Sequence, residues 1–369
     1  MFHIVYYISG HGLGHLTRSL SIIELLLQYR SDISITIKCD AGHIAFTQHY
    51  LSDHNLAAQV QPYSSTFDII VDPVKVCVDL PATITNLQNW LAKLPIRAQN
   101  EYKTTDTRTN LILSDIVPEA FLVAEMLGVP AIGISNFTWY EICSNYLPEE
   151  SLTALRRMYE KATALLEFPL STGNNMPVKN RIPVGLICRP VNAERVKLIR
   201  DKFKRGKRPL LLFSIGGALE LECQSLHPGI DWLHTRGVCL PQNSNVFTIQ
   251  EDDQDIQNYV AACDAVITKF GWSTLAEAII AKKPVFLMQA NGGWAEENLI
   301  MAEINTLGCI KAIRLADLYH FSPEVVQQQI NEMTEHYKEL SSRYSYSPKE
   351  IIEHISTFLP SIKLTPNME

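Results

Sequence analysis

The sequence predicts an α/β protein built as two domains of parallel strands joined by crossover helices, and three observations carry that reading. Short β-branched strands alternate with helical stretches through the first half, the pattern of parallel strands joined by crossover helices. The alternation breaks at Ile182-Pro183-Val184-Gly185 and then begins again. At 369 residues, 46% of them hydrophobic and 19% charged, the chain is long enough for each half to bury its own core. We therefore expect an N-terminal domain over 1–185, a C-terminal domain over 186–345, and a closing helix and tail over 346–369.

The elements follow in order. Residues 3–8 (His-Ile-Val-Tyr-Tyr-Ile) suit a buried parallel strand, and Leu16, Leu20, Ile23 and Leu27 recur at helical spacing over 15–29. A second strand falls at 33–38 and a helix after Gly42. Residues 111–115 form another short apolar strand; Pro118 ends it, a helix covers 119–127, and Gly128-Val129-Pro130 leads into a strand at 131–135. Trp90, Leu91 and Leu94 mark a helical stripe that either packs inside or touches lipid. The second cycle opens with a basic helix at 193–205 and a strand at 209–215. A strand at 245–248, a helix at 256–262, a strand at 265–268, a helix at 273–281 and a strand at 285–288 follow. Two helices, about 323–341 and 348–359, close the chain.

Composition excludes several classes. A formal charge of −7 argues against a general polyanion binder, so no nucleic-acid partner is expected. The basic residues between Arg195 and Arg208 read as a solvated helix face and linker. Eight cysteines stand singly, with no C-x-x-C pair and no metal-finger spacing, as in a reduced, cytoplasmic protein. The first strand leaves no room for a signal peptide, and no apolar run reaches membrane-spanning length. Peripheral membrane contact stays open.

The stretch Ile8-Ser9-Gly10-His11-Gly12-Leu13-Gly14-His15-Leu16-Thr17-Arg18 puts three alternating glycines and two histidines between a strand and a helix. Glycines belong where backbone turns sharply or approaches a ligand. A dinucleotide fingerprint would need glycine where His15 stands. The positive end of a helix dipole favours the neutral imidazole, a proton acceptor near pH 7, so His15, and next His11, are candidate catalytic groups. Parallel strands present their carboxyl ends on one edge, so Asp115 and Asn136 should open on the same edge as His15. Gly14, Arg18, Asn136 and Trp139 are assigned to an acceptor side, although the aromatics equally suit a core.

In the second half, Gly271-Trp272-Ser273-Thr274 follows a strand and starts the helix that carries Glu277. Ser214-Ile215-Gly216-Gly217-Ala218 offers a second amide nest at a neighbouring strand end. Two such nests suit a diphosphate, though Ser273 and Thr274 equally suit plain helix caps. Glu277 stands where it can accept from ribose hydroxyls. Glu296, Glu297 and Asn298 put carboxylates and an amide at another helix start, for sugar hydroxyls or for the helix dipole. Asp253-Gln254-Asp255 has a D-x-D form but lies in an acidic run opening a helix, where capping is the simpler role; no metal site is expected. Zinc-protease, P-loop and hydrolase-elbow motifs are missing from the sequence.

Gly12-Leu13-Gly14-His15, the stretch from Gly271 to Glu277 and Glu296-Glu297-Asn298 together resemble the GT-B nucleotide-sugar glycosyltransferases, especially the group of the peptidoglycan N-acetylglucosaminyltransferase. Ser-Asp-Ile-Val-Pro at 114–118 and Ser-Asn-Phe-Thr-Trp at 135–139 look like the glycosyltransferase-like N-terminal region of plant L-arabinokinases. No sugar-kinase domain follows, so kinase activity is not carried over. The resemblance implies two doubly wound, Rossmann-like domains facing across a cleft, with the last helix packing back toward the first. It also implies a UDP-sugar donor held by the C-terminal domain: the backbone near Phe247 to Gln250, including Ile249, for the base, Glu277 for the ribose, and Ser214, Gly216, Gly217, Ser273 and Thr274 for the diphosphate. Glu296, Glu297 and Asn298 would hold the sugar. It implies an inverting displacement with His15 as base, Asp115 orienting it or acting itself, and no cofactor beyond the nucleotide-sugar. Glu-Glu-Asn departs from the usual acidic-Gln pair, so the donor sugar is open. A nucleotide-sugar 2-epimerase and a non-catalytic nucleotide-sugar sensor are the competing readings.

Overall fold

A computed structural model describes residues 1–64, 70–72, 77–144, 146–171, 173, 175–215, 221–223, 225–250, 253–289 and 295–359, with the backbone alone at 71, 72, 77, 78, 151 and 295–299. The chain divides into two compact units, one of residues 1–11, 18–185 and the chain from Ser347 on, the other of Gly12–Thr17 and Leu186–Tyr346.

The first unit is a seven-stranded sheet. Its strands are β1 (Phe2–Ile8), β2 (Ile33–Cys39), β3 (Gln59–Pro62), β6 (Thr109–Asp115), β7 (Ala131–Ser135), β8 (Ala164–Glu167) and β9 (Arg181–Pro183), with a small antiparallel pair, β4 (Val71–Asp72) and β5 (Cys77–Val78), outside it. The order is β3-β2-β1-β6-β7-β8-β9, all parallel. The last five residues of β1 and of β6 are buried, as a continuous apolar run on a sheet covered on both faces requires. Successive strands spread away from β1 in one direction and from β6 in the other. The topological switch point therefore lies between Ile8 and Asp115, where open α/β sheets bind ligands.

Helices α1 (Leu13–Tyr29), α2 (Ile44–Asp53), α3 (Leu80–Thr104), α4 (Glu119–Leu127), α5 (Trp139–Ser144) and α6 (Glu149–Tyr159) join these strands. Helix α3 starts on Asp79, which accepts from Ala82 N, with Pro81 in its first turn. Trp90 and Leu94 are buried on it, so the stripe packs inside the unit. Helix α4 ends at Gly128, whose φ of +70° is a left-handed stop that glycine adopts without strain.

The second unit has a six-stranded sheet of order β14-β12-β10-β15-β16-β17. These are β10 (Leu210–Ser214), β12 (Asp231–His234), β14 (Val246–Thr248), β15 (Ala265–Lys269), β16 (Val285–Met288) and β17 (Ile310–Ile313), all parallel. A short pair, β11 (Leu221–Glu222) and β13 (Val238–Cys239), stands apart. The helices are α7 (Ala193–Phe203), α8 (Ile256–Ala262), α9 (Trp272–Ile280), α10 (Ala295–Ile304) and α11 (Pro323–Glu335); α12 (Pro348–Thr357) is grouped with the first unit. The helix expected to reach about 341 stops at Glu335 and gives way to a 3₁₀ turn over His336–Lys338.

Phe213, Trp232, Ile267, Phe286, Phe321 and Val326 pack in one core on this sheet. The basic stretch from Arg195 to Arg208 is less solvated than its composition suggested. Arg200 and Lys204 both reach Asp264, Arg208 lies 3.6 Å from Asp231, and Arg195 pairs with Asp253.

Candidate functional site

The switch point of the second unit lies between β10 and β15, which end at Ser214 and Lys269. Ser214 and Thr268 face each other in the ladder, and Thr235 Oγ1 donates to Ser214 Oγ at 3.3 Å. Helix α9 starts two residues beyond β15. Its N-cap is Gly271, in extended backbone, a residue with no side chain to offer as a cap. The reading of Ser273 or Thr274 as the cap is thereby corrected: they stand at the second and third helical positions. Such a helix start offers backbone N–H groups and the positive end of a dipole. The Ser273 hydroxyl donates 2.8 Å to Gly14 O, since Gly12–Thr17 belongs to this unit. A Cβ on Gly14 would come within 3.3 Å of that hydroxyl, which accounts for glycine there. Beside this helix start stands Lys269. Burial pushes its ammonium below the usual lysine range, and no carboxylate among the described residues pairs with it.

One turn into α9, Glu277 is 7% exposed and its Oε1 accepts from Arg189 Nη2 at 3.3 Å. Burial raises the Glu277 carboxyl above the usual range, and Arg189 draws it back down. Sequence reasoning placed Glu277 but passed over Arg189. The available signal was a lone charge in the otherwise apolar run 182–191. Gly216 and Gly217 lie outside the described residues, and for Glu296, Glu297 and Asn298 only the helical backbone of α10 is described.

The segment expected to hold the base through its backbone has these surroundings. The Phe247 ring lies 5.1 Å from that of Phe203, with the Arg205 guanidinium 5.0 Å over it, so its side chain packs against the end of α7. Ile249 N donates to His234 O, which occupies that amide. His234, not singled out before, meets Thr248 Oγ1 at 2.9 Å at the same strand ends. The acidic run is corrected as well. Asp255 is the N-cap of α8 but makes no capping bond, while Asp253 accepts from Arg195 and from the Tyr259 hydroxyl at 2.6 Å.

In the first unit the edge residues engage one another. Arg18 donates through Nε to Asp115 Oδ2 at 2.7 Å, through Nη2 to Asp115 Oδ1 and Ser135 Oγ, and through Nη1 to Asn136 Oδ1 at 2.9 Å. Ser19 Oγ adds a bond to Asp115, and Asn136 Nδ2 donates to Leu170 O. Asp115 is 1% exposed with both oxygens occupied, so it is ill placed to act as a base. Arg18 and Asn136, assigned to the acceptor side, are consumed in the same clasp. Trp139 is 3% exposed and meets the His11 ring edge-on at 5.4 Å, which makes it a core aromatic. His15, in the segment Gly12–Thr17 that is grouped with the second unit, lies in the first turn of α1 and is 7% exposed.

No family model matches the chain. It is 23% identical over 308 residues to an L-arabinokinase of Arabidopsis thaliana, a match that takes in 76% of this chain and 28% of that protein. The chain thus spans little more than a quarter of the curated relative's length. Among solved structures, Phytolacca americana UGT2 complexed with UDP-2fluoro-glucose and pterostilbene superposes with a TM-score of 0.61 at 14% identity, over 97% of this chain and all of that one. Arabidopsis thaliana UGT89C1 complexed with UDP gives 0.63 at 10% identity, over 97% and 99%. The calicheamicin glycosyltransferase CalG4 gives 0.60 at 16% identity, over 98% and 99%. The fold is GT-B. Identities this low speak for the GT-B architecture and leave the chemistry to the residues.

Proposed function

We propose that this chain is a glycosyltransferase that moves a sugar from a nucleotide-sugar, with a UDP-sugar as the expected donor, to a hydroxyl acceptor, by inversion and without a metal ion. The observation that carries the proposal is the chemistry gathered at the switch point of the second unit. A helix start with glycine at its N-cap and a half-buried ammonium that meets no carboxylate among the described residues favour a bound anion. A buried carboxylate one turn further on favours neutral hydroxyl donors beside that anion. A nucleoside diphosphate presents both. Glycosyltransferase structures complexed with UDP or a UDP-sugar share the fold, and the glycine turn and α9 motif resemble the peptidoglycan N-acetylglucosaminyltransferase group.

In the reaction we propose, the acceptor oxygen attacks the anomeric carbon as the bond from that carbon to the diphosphate oxygen breaks. The diphosphate leaves with the electron pair. His15 Nδ1 or Nε2 takes the acceptor proton, and the N–H groups at the start of α9 with Lys269 Nζ stabilise the charge that develops on the leaving group. Preorganised donors of this kind do the work that a divalent ion does elsewhere.

The test is turnover of UDP-sugars with a panel of hydroxyl acceptors, followed as UDP release and as glycosylated product. We expect His15→Ala to lower turnover by roughly two to four orders of magnitude with donor affinity little changed, and a chelator to leave turnover intact. Release of an epimerised nucleotide-sugar without acceptor, or saturable binding without any turnover, contradicts the proposal.

A further inference from the structure

Arg189 and Glu277 form a buried pair that the nucleotide reading leaves half explained. Arg189 is 3% exposed. Its Nη1 donates to the Gln254 backbone carbonyl and its Nη2 to Glu277 Oε1, while Nε is buried without a hydrogen-bond partner. Two further buried acceptors without a partner, Gln254 Oε1 and Gln257 Oε1, stand on the same α8 start that Arg189 grips. Buried polar atoms nearly always find partners, so a cluster of three beside an ion pair marks a place built to receive polar groups. Glu277 also has a second oxygen that this pair does not use.

We infer that Arg189 is a positioning residue: it holds Glu277 ionised and turned so that its second carboxylate oxygen accepts a hydroxyl of the bound nucleotide. The inference rests on the reading of the switch point as a nucleotide site and goes beyond it by naming the group that sets the carboxylate. The groups acting on Glu277 are Arg189 from the segment before α7, Asp255 at the cap of α8, and Cys188 beside Arg189. Asp255 opposes ionisation and, among the described residues, Arg189 supports it. A guanidinium also spans two acceptors at fixed angles, here the Gln254 carbonyl and Glu277, which an ammonium on a flexible stem cannot do.

The experiment is calorimetric titration of the full chain with UDP between pH 5 and pH 9, on the parent, Glu277→Gln, Arg189→Met and Arg189→Lys. Glu277→Gln should bind UDP at least tenfold more weakly at neutral pH. Arg189→Met should move the acid limb of the affinity profile upward by about one pH unit or more, because its carboxyl then protonates earlier. Arg189→Lys retains the charge, so its acid limb should stay near the parent's while affinity falls about three- to tenfold. Titration of the UDP phosphate is common to all four proteins and cancels between them. If Arg189→Met does not fold, the Arg189→Lys arm still decides, since affinity equal to the parent's overturns the positioning role. An unmoved acid limb in a folded Arg189→Met protein does the same. A parent that binds no UDP, or a Glu277→Gln protein that binds it undiminished, overturns instead the nucleotide reading on which this inference rests.

Discussion

Asp115 shows what a residue can be made to do by its partners. The sequence places it correctly at the carboxyl end of a parallel strand, where catalytic carboxylates gather, but the group that claims it is Arg18, 97 positions away. Nothing in a linear pattern announces that pairing. With both carboxylate oxygens bonded and almost no exposure, its work is to tie α1 to the ends of β6 and β7. Removing one partner of a buried pair leaves the other charge without compensation, at a cost of about 3–5 kcal/mol. Asp115→Ala should therefore lose stability of that order in urea unfolding, whereas His15→Ala should unfold close to the parent while losing turnover. Equal stability of Asp115→Ala and the parent would show that the clasp carries no weight. Arg189 was passed over for a related reason: the carboxylate it meets stands on a helix 88 positions further along the chain.

At the scale of elements, the strands that read as unbroken apolar runs were legible. The runs at 131–135 and 285–288 became β7 and β16 with the same bounds, and α8 likewise. Strand β12 escaped notice because Asp231 and His234 stand at its two ends and leave only two apolar residues between them, yet all its residues are buried. Asp231 is tolerated there because it accepts from Arg205 N and faces Arg208, contacts supplied by the chain after α7. The basic stretch likewise gains meaning only when folded. Asp264 collects Arg200, Lys204 and the Leu210 amide, and these contacts outweigh its burial and hold its carboxyl below the usual value of 3.8. A carboxyl lowered by folding adds stability that is present above its unfolded value and lost as pH falls through its folded one. Asp264→Asn should thus destabilise the chain by about 1–3 kcal/mol near pH 7, with the difference from the parent shrinking below pH 4 as the parent's Asp264 becomes neutral, first in the unfolded chain and then in the folded one. Unfolding curves at pH 7 and pH 3 check this, and a penalty that persists undiminished at pH 3 contradicts the ion-pair account.

For the whole molecule, the doubling of the α/β pattern was visible in the sequence because each cycle buries its own core and breaks at Pro and Gly. The strand orders were not, yet they decide where the chemistry sits, since a switch point is a property of the completed sheet. In the second unit that point falls between Ser214 and Lys269, and the central claim is that a nucleoside diphosphate binds there. Lys269 is its most exposed commitment: this cation beside the start of α9 meets no carboxylate among the described residues, so its loss should cost the ligand and not the fold. The deciding measurement is calorimetric titration of UDP into the parent and Lys269→Met at pH 7.5. The account predicts saturable one-to-one binding that Lys269→Met weakens by roughly 10- to 150-fold, the worth of one charge-assisted contact of about 1.5–3 kcal/mol, with the melting temperature unchanged. Equal affinity in the two proteins would contradict it.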